Sequence, residues 1–508
     1  VLGEPREVRL PLVKPAGARL AQAGDTQFLR VLEPPQSLLE AAFKDAKDAA
    51  EIAGFQQLRG IPGLYTRLSN LTRSQSPKVR KTAIQTLSNG RDRFYVNGLK
   101  AKDESAMVRA LLREVRAVGT AVDDKTEKAL HAVSLKLQSA FEHDAKSRRE
   151  VLKMFALVAR DYLISNQKSK KVNYHDLQHI LEVTVGALDL FMAFGADAED
   201  AKRLTFAALL HDVALLKGSE DYDLHEDQSK EQVQKYLSKV YDKEPVAQIV
   251  CDVQDLIEFT KFGGPSNTPE QILARISSER ALLFIKGTDR HFPPMSAALI
   301  KAGQILGAMD VLTAMGSEDY LVKMRGLMQE YWDNHALRKI EAPTKKTTLE
   351  NSGWYSFMDS LATTQGFVIY FLSARFFGGK LFGAPSVGFQ PFTDGTGLKP
   401  DAAKIETLKN KYLNNAFINV TVMTNLGEFW TRLKQGQVLT PAELDAVRGL
   451  SAGFGIPEVY DFMKAVSEIN QHSKNGAAES VSTAEIKRLN EAVLLNGSKF
   501  QDEKHHPP

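Results

Sequence analysis

Apolar positions recur at helical spacing along most of the chain. After Ser76-Pro77, a cap followed by proline at the first helical position, Val79, Ala83, Ile84 and Leu87 mark one face. Val108, Leu111, Leu112, Val115 and Val118 repeat that spacing, as do Leu130, Val133, Leu137 and Phe141. Ser37-Leu38-Leu39-Glu40 is a capping-box pattern and predicts an early helix start. Asp197, with Asp200 in the first turn, predicts another. Thr268-Pro269 opens a helix after the loop that begins at Gly263, helices resume near Asp401, and Thr440-Pro441-Ala442-Glu443 caps one more. The pattern predicts an all-α protein.

The same pattern divides the chain. Residues 1–36 hold few periodic apolar positions and end at Pro34-Pro35, as a linker or wrapped arm. Residues 37–150 read as a bundle of amphipathic helices, for packing or homodimerisation; Ser76-Pro77-Lys78-Val79-Arg80 faintly suggests a HEAT-type repeat, but one match sets no period. Residues 151–340 form a second helical block. Residues 341–508 form a mainly helical third region, with a Gly- and aromatic-rich stretch from Phe367 to Phe392 as a packed linker or a lid, and a polar tail after Asn475. Trp332, Trp354 and Trp430 read as core or interdomain packing.

Composition narrows the picture without changing it. A chain of 508 residues, 43% hydrophobic and 25% charged, is long enough for two or three globular units. With 65 basic and 62 acidic residues the net charge is +3, too balanced for a dominant nucleic-acid footprint. A single cysteine, Cys251, excludes an intrachain disulfide and a cysteine-based zinc cluster. The longest apolar candidate, Phe367 to Phe382, carries Arg375 and Lys380, so no membrane span is expected and the protein reads as soluble. The chain starts at Val1, which is compatible with a cytoplasmic protein or with export after leader removal.

Chemistry concentrates in the second block. His175 and His179 stand four residues apart, a spacing that brings two side chains together on one helix face. One helix later comes His211-Asp212, inside the apolar run Leu209, Leu210, Val213, Leu215 and Leu216. His225 follows at a loop or helix start. Burying a carboxylate beside an imidazole is costly unless a cation compensates. Imidazole nitrogens and a carboxylate able to bridge form a donor set for one or two divalent ions, with Fe, Mn, Zn, Ni or Mg all compatible. Singly, each histidine reads as a structural residue; four histidines and an aspartate within 51 residues read as a metal site.

Tyr174-His175-Asp176-Leu177-Gln178-His179 followed by His211-Asp212 resembles the HD-domain superfamily of metal-dependent phosphohydrolases. The first segment is particularly similar to the Tyr-His-Asn-x-x-His-Ala pattern of cyclic-nucleotide phosphodiesterases and to bacterial phosphodiesterase-like HD proteins. His225-Glu226-Asp227-Gln228-Ser229-Lys230, Ile257 to Phe262, and Ala302-Gly303-Gln304-Ile305-Leu306-Gly307 resemble stretches of the latter. The resemblance covers roughly residues 155–335. It implies His179, His211 and Asp212 as metal ligands, with Asp212 the bridge if two ions bind, and His225 on the second ion. It implies His175 as the general acid and a phosphate ester, such as a nucleotide, as substrate, attacked by metal-bound hydroxide. Lys217 and Lys230 are candidates for offsetting phosphoryl charge, or else solvated surface lysines.

Two departures matter. Asp176 replaces the family's asparagine, and either raises the pKa of His175 or faces solvent. The family's last aspartate falls at Gln304, a weak ligand, while Asp310 lies six residues on, about 240° round a helix. Either Asp310 substitutes, or Gln304 ligates, or the site lacks a ligand. Three readings follow: a phosphohydrolase, a degenerate HD domain that binds a ligand or partner, and a scaffold with histidines in its core.

Overall fold

The computed structural model describes residues 68–92, 105–166, 174–217, 224–241, 247–261, 269–285, 292–334, 357–359, 361–362 and 398–474. Among them the secondary structure is helical, with no strand. The capping box at Ser37, the arm 1–36, the loop from Gly263, the stretch Phe367–Phe392 and the tail after Asn475 lie outside the described residues, as do the side chains of Trp332 and Trp354.

Helix α1 is Pro77–Asn89, α2 Ala106–Ala117, α3 Asp124–Ala140 and α4 Ala145–Asn166. Ser76 caps α1 and accepts from the Val79 amide, while Val108, Leu111, Leu112 and Val115 bury one face of α2. Val118 departs from the periodic pattern: α2 ends at Ala117 and Val118 stands 64% exposed. On α4, Val151, Met154, Phe155, Val158 and Tyr162 form a fully buried stripe at three- and four-residue spacing.

The centre of the molecule is built from α5 (Leu177–Ala193), α6 (Ala198–Leu210), a 3-10 turn (Val213–Lys217), α7 (His225–Val240) and α8 (Ala247–Glu258). It continues with α9 (Pro269–Ile285), α10 (Ala297–Met315) and α11 (Tyr320–Asn334). Helices α5 and α10 are apolar almost all round and pack side by side, with α6 and α8 against them. Close approach demands glycine here. A Cβ on Gly307 would stand 2.1 Å from the carbonyl oxygen of Phe259, and one on Gly303 would stand 2.3 Å from the Phe259 ring. Helix α10, 19 residues long, is the described helix with the length and composition of a membrane span. It is a core helix, with Ala302, Ile305, Leu306, Met309 and Leu312 buried.

Helices α12 (Ala402–Lys434), α13 (Pro441–Gly453) and α14 (Glu458–Lys474) close the fold. Asp401 caps α12, and Thr440 with Glu443 forms the reciprocal capping box that starts α13. Trp430 is buried, and its indole N–H donates to Asp359. One apolar core runs from Leu68 to Val466, through all three segments into which the sequence divides. The division at 150 falls inside α4. Helix α1 packs on α13, where Arg80 pairs with Asp445 and Ile84 fills the space above Gly449.

Asparagines on α12 secure the end of α10. Asn419 Nδ2 donates to the carbonyls of Met315 (2.9 Å) and Ser317 (2.8 Å), and Asn415 Nδ2 to that of Gly316 (2.9 Å). These bonds satisfy carbonyls that a helix C-terminus leaves open. They fix the helix that carries Asp310.

Candidate metal centre

His175 and His179 meet, but not on one helix. Helix α5 begins at Leu177, and Asp176 is its N-cap, accepting the His179 amide at 2.9 Å. Asp176 therefore fixes the helix start and the backbone of His179. His175 precedes the cap. Its position is set by Glu330 on α11, a wholly buried carboxylate. Glu330 accepts the amides of Tyr174 (2.8 Å) and His175 (3.2 Å), and the ring Nδ1–H of His175 at 2.6 Å. Seven residues earlier on α11, Lys323 pairs with Glu182 of α5 at 2.5 Å, and Glu182 also accepts from Gln178. Helix α11 thus clips onto the start of α5 at two points, one on each side of His179.

His211 ends α6, and its Nδ1–H donates to the Ala208 carbonyl at 2.8 Å. That bond leaves the lone pair on Nε2, the tautomer a metal ligand needs. Nε2 of His211 stands 3.1 Å from Asp212 Oδ2 and 3.4 Å from Asp310 Oδ1. His179 Nε2 stands 3.1 Å from Asp310 Oδ1 and 3.5 Å from Asp212 Oδ2. On the other side, His225 Nε2, at the first residue of α7, lies 3.3 Å from Asp212 Oδ1. His175 Nε2 is 4.0 Å from Asp212 Oδ2. Two three-residue groups result, His179/His211/Asp310 and His175/Asp212/His225, each with donor atoms within 4.8 Å of one another. Asp212 stands between them.

The electrostatics match that geometry. Burial works against an imidazolium at His179, but the carboxylates of Asp212 and Asp310 overcome it and raise the group to about 9. His211 is raised well above its ordinary value in the same way, against burial, chiefly by Asp212. Burial would favour the neutral acids, yet the neighbouring histidines hold Asp212 and Asp310 well below the usual carboxylate range. The pocket attracts positive charge strongly enough to overcome desolvation.

A divalent ion fits these residues. Nε2 of His179, Nε2 of His211 and Oδ2 of Asp212 are buried, with no hydrogen-bond partner among the described residues. Three orphaned donor atoms that converge on one pocket are what a ligand set presents. Imidazole and carboxylate together suit Mn, Fe, Zn or Ni.

Gln304 and Asp310 lie about 120° apart around α10, on different faces. The face turned to His179 and His211 carries Asp310. Lys230 is engaged elsewhere. Its Nζ stands 2.7 Å from the buried carboxylate of Glu258, which Lys261 (2.9 Å) and Arg275 (3.2 Å) share. The side chain of Lys217 lies outside the described residues. Glu330 was not anticipated from the sequence: it sits 155 residues from His175 and belongs to no motif.

Residues 176–315 match the family model of the HD domain. No curated protein and no solved structure matches the chain.

Proposed function

We propose that this chain, whose residues 176–315 match the HD-domain model, is a metal-dependent phosphohydrolase that hydrolyses a phosphodiester, a nucleotide or a related ester, with divalent ions held by the two groups around Asp212. The observation that carries this reading is Asp212 itself, with Oδ2 toward His179 and His211 and Oδ1 toward His225. In this reading His179, His211, Asp310 and Asp212 Oδ2 would hold one ion, and His225 with Asp212 Oδ1 a second. Divalent ions supply an acidified water and positive charge beside the phosphoryl oxygens.

The chain's own residues do the rest. Glu330 holds the Nδ1–H of His175, so the proton to be given away sits on Nε2, the atom that faces Asp212. From there it protonates the departing alkoxide as the ester P–O bond breaks. Tyr174 packs its ring against those of His175 (4.7 Å) and His179 (4.9 Å) and limits the water around both. Lys217 and Lys230 are the candidates for phosphoryl charge, with the Lys230 ammonium also held by Glu258.

One observation favours a second role for His175: its Nε2 belongs to the ligand group with Asp212 and His225. The two roles separate in His175→Ala. As general acid its loss lowers kcat with metal content unchanged; as ligand its loss removes one ion. The alternative of a degenerate domain that serves as a binding module drew its support from Gln304 and from the large flanking regions; the first ground weakens with Asp310 beside both histidines.

The test is metal content by mass spectrometry on tag-free protein, with His211→Ala in parallel. One or two ions per chain, lost in the variant, is the expected result. Turnover of phosphodiesters with Mn, Fe or Mg then separates an enzyme from a binding module. No metal after incubation with excess Mn or Fe would end the hydrolase reading.

A further inference from the structure

Tyr162 lies on α4 and is wholly buried. Its hydroxyl has no hydrogen-bond partner among the described residues. A buried hydroxyl without a partner is costly, and phenylalanine would fill the same space without that cost. The contrast with the nearest phenol is direct: Tyr236 on α7 donates to Asp161, the residue before Tyr162, at 2.8 Å.

The helix that carries Tyr162 packs beside the metal centre. Helix α4 packs against the 3-10 turn that follows Asp212 and against α7, which opens with His225. Burial comes first among the influences on the phenol and raises its pKa well above the ordinary value; Asp212, Tyr236, Asp176 and Glu330 add to it. Three of those four groups belong to the site. The phenol therefore keeps its proton beside a cluster of acidic groups.

The other orphaned atoms of the centre, on His179, His211 and Asp212, are lone-pair donors that a cation satisfies. An O–H is different. A cation cannot accept it, and it calls for an acceptor oxygen. The ester proposed for this site brings phosphoryl oxygens, which are strong, negatively charged acceptors. We propose that the Tyr162 hydroxyl donates a hydrogen bond to a phosphoryl oxygen of the ester bound at the metal centre. This assignment rests on the phosphohydrolase reading.

The test uses the full chain loaded with Mn, inorganic phosphate as probe, and Tyr162→Phe beside the wild type. Calorimetric titration gives the phosphate Kd, mass spectrometry the Mn content, and thermal unfolding the Tm. The expected result is unchanged Mn content, an unchanged or raised Tm, and phosphate binding weakened roughly tenfold, as for loss of one hydrogen bond to a charged acceptor. Equal phosphate affinity would overturn the proposal. So would a Tm lowered by several degrees, which marks a structural partner for the hydroxyl, or loss of Mn, which marks a role toward the ion. Wild-type protein that takes up no Mn or binds no phosphate would refute the phosphohydrolase reading, and the Tyr162 assignment with it. Because that failure appears in the wild type alone, it is distinct from a failure confined to Tyr162.

Discussion

Asp310 decides whether the proposed ligand set is complete, and its removal has a calculable effect. The rise of His179 from 6.5 to about 9 occurs in a fully buried pocket. It corresponds to roughly 3 kcal/mol of net attraction for one positive charge. That figure is what remains after the desolvation that opposes it. Two carboxylates supply it, and Asp310, at 3.1 Å, is closer than Asp212, at 3.5 Å. Asp310 then accounts for the larger share, or ~2 kcal/mol per unit charge. A divalent ion responds with about twice that, so Asp310→Asn is expected to weaken binding by roughly a thousandfold. Gln304→Ala, about 120° away around the same helix, is the matched control and is expected to change affinity by less than about threefold. Calorimetric titration of both variants with Mn, with Tm recorded to exclude misfolding, makes the comparison. The reasoning is refuted if Gln304→Ala loses the ion while Asp310→Asn retains it, or if neither changes affinity.

Other perturbations test the surroundings of the site. Glu330→Gln keeps the shape but weakens the hold on His175; kcat on a phosphodiester is expected to fall about 10- to 100-fold with Mn content unchanged, and a variant that loses Mn would show that Glu330 serves the ion. Gly307→Ala forces a methyl into the space beside the Phe259 carbonyl, with an expected cost of about 1–3 kcal/mol and weaker Mn binding, because Asp310 lies one turn on; an unchanged Tm would refute it. Burial pushes Glu258 toward neutrality, but Lys230 and Lys261 outweigh it and lower its pKa. A lowered carboxylate stabilises above its unfolded value of 4.5 and loses that contribution as pH falls through the folded value. Glu258→Gln should therefore cost about 1–2 kcal/mol near pH 7, with the difference from wild type shrinking in denaturant titrations as pH falls below 4.5 and through the lowered folded value.

His211, Asp212 and His225, which the fold brings to the candidate centre, were legible because each carries a local signature. His211-Asp212 interrupts an apolar run where the fold places the end of α6, and His225 opens α7. The caps at Ser76, Asp197 and Thr440 were legible for the same reason, since a capping side chain and the amide it serves lie three residues apart. Asp176 obeys that rule too, but the four-residue spacing of His175 and His179 suggested one continuous helix and concealed the cap between them. The features that escaped are those whose partner is distant. Nothing near Glu330 marks it as the residue that orients His175, and nothing near α1 marks α13, some 365 residues on, as its packing partner.

The choice between Gln304 and Asp310 is of a third kind. Both sit on α10, a helix apolar almost all round, so its pattern has no polar face from which to read the rotation. The rotation is set by contacts outside the helix: Phe259 against Gly303 and Gly307, and the α12 asparagines on the carbonyls at its end. Those contacts turn Asp310 toward His179 and His211. A motif that places the last carboxylate by counting residues assumes that rotation, and six residues more or less turns the side chain by about one-third of a circle. The carboxylate was legible in the sequence as a residue type, whereas its direction is a property of the packing.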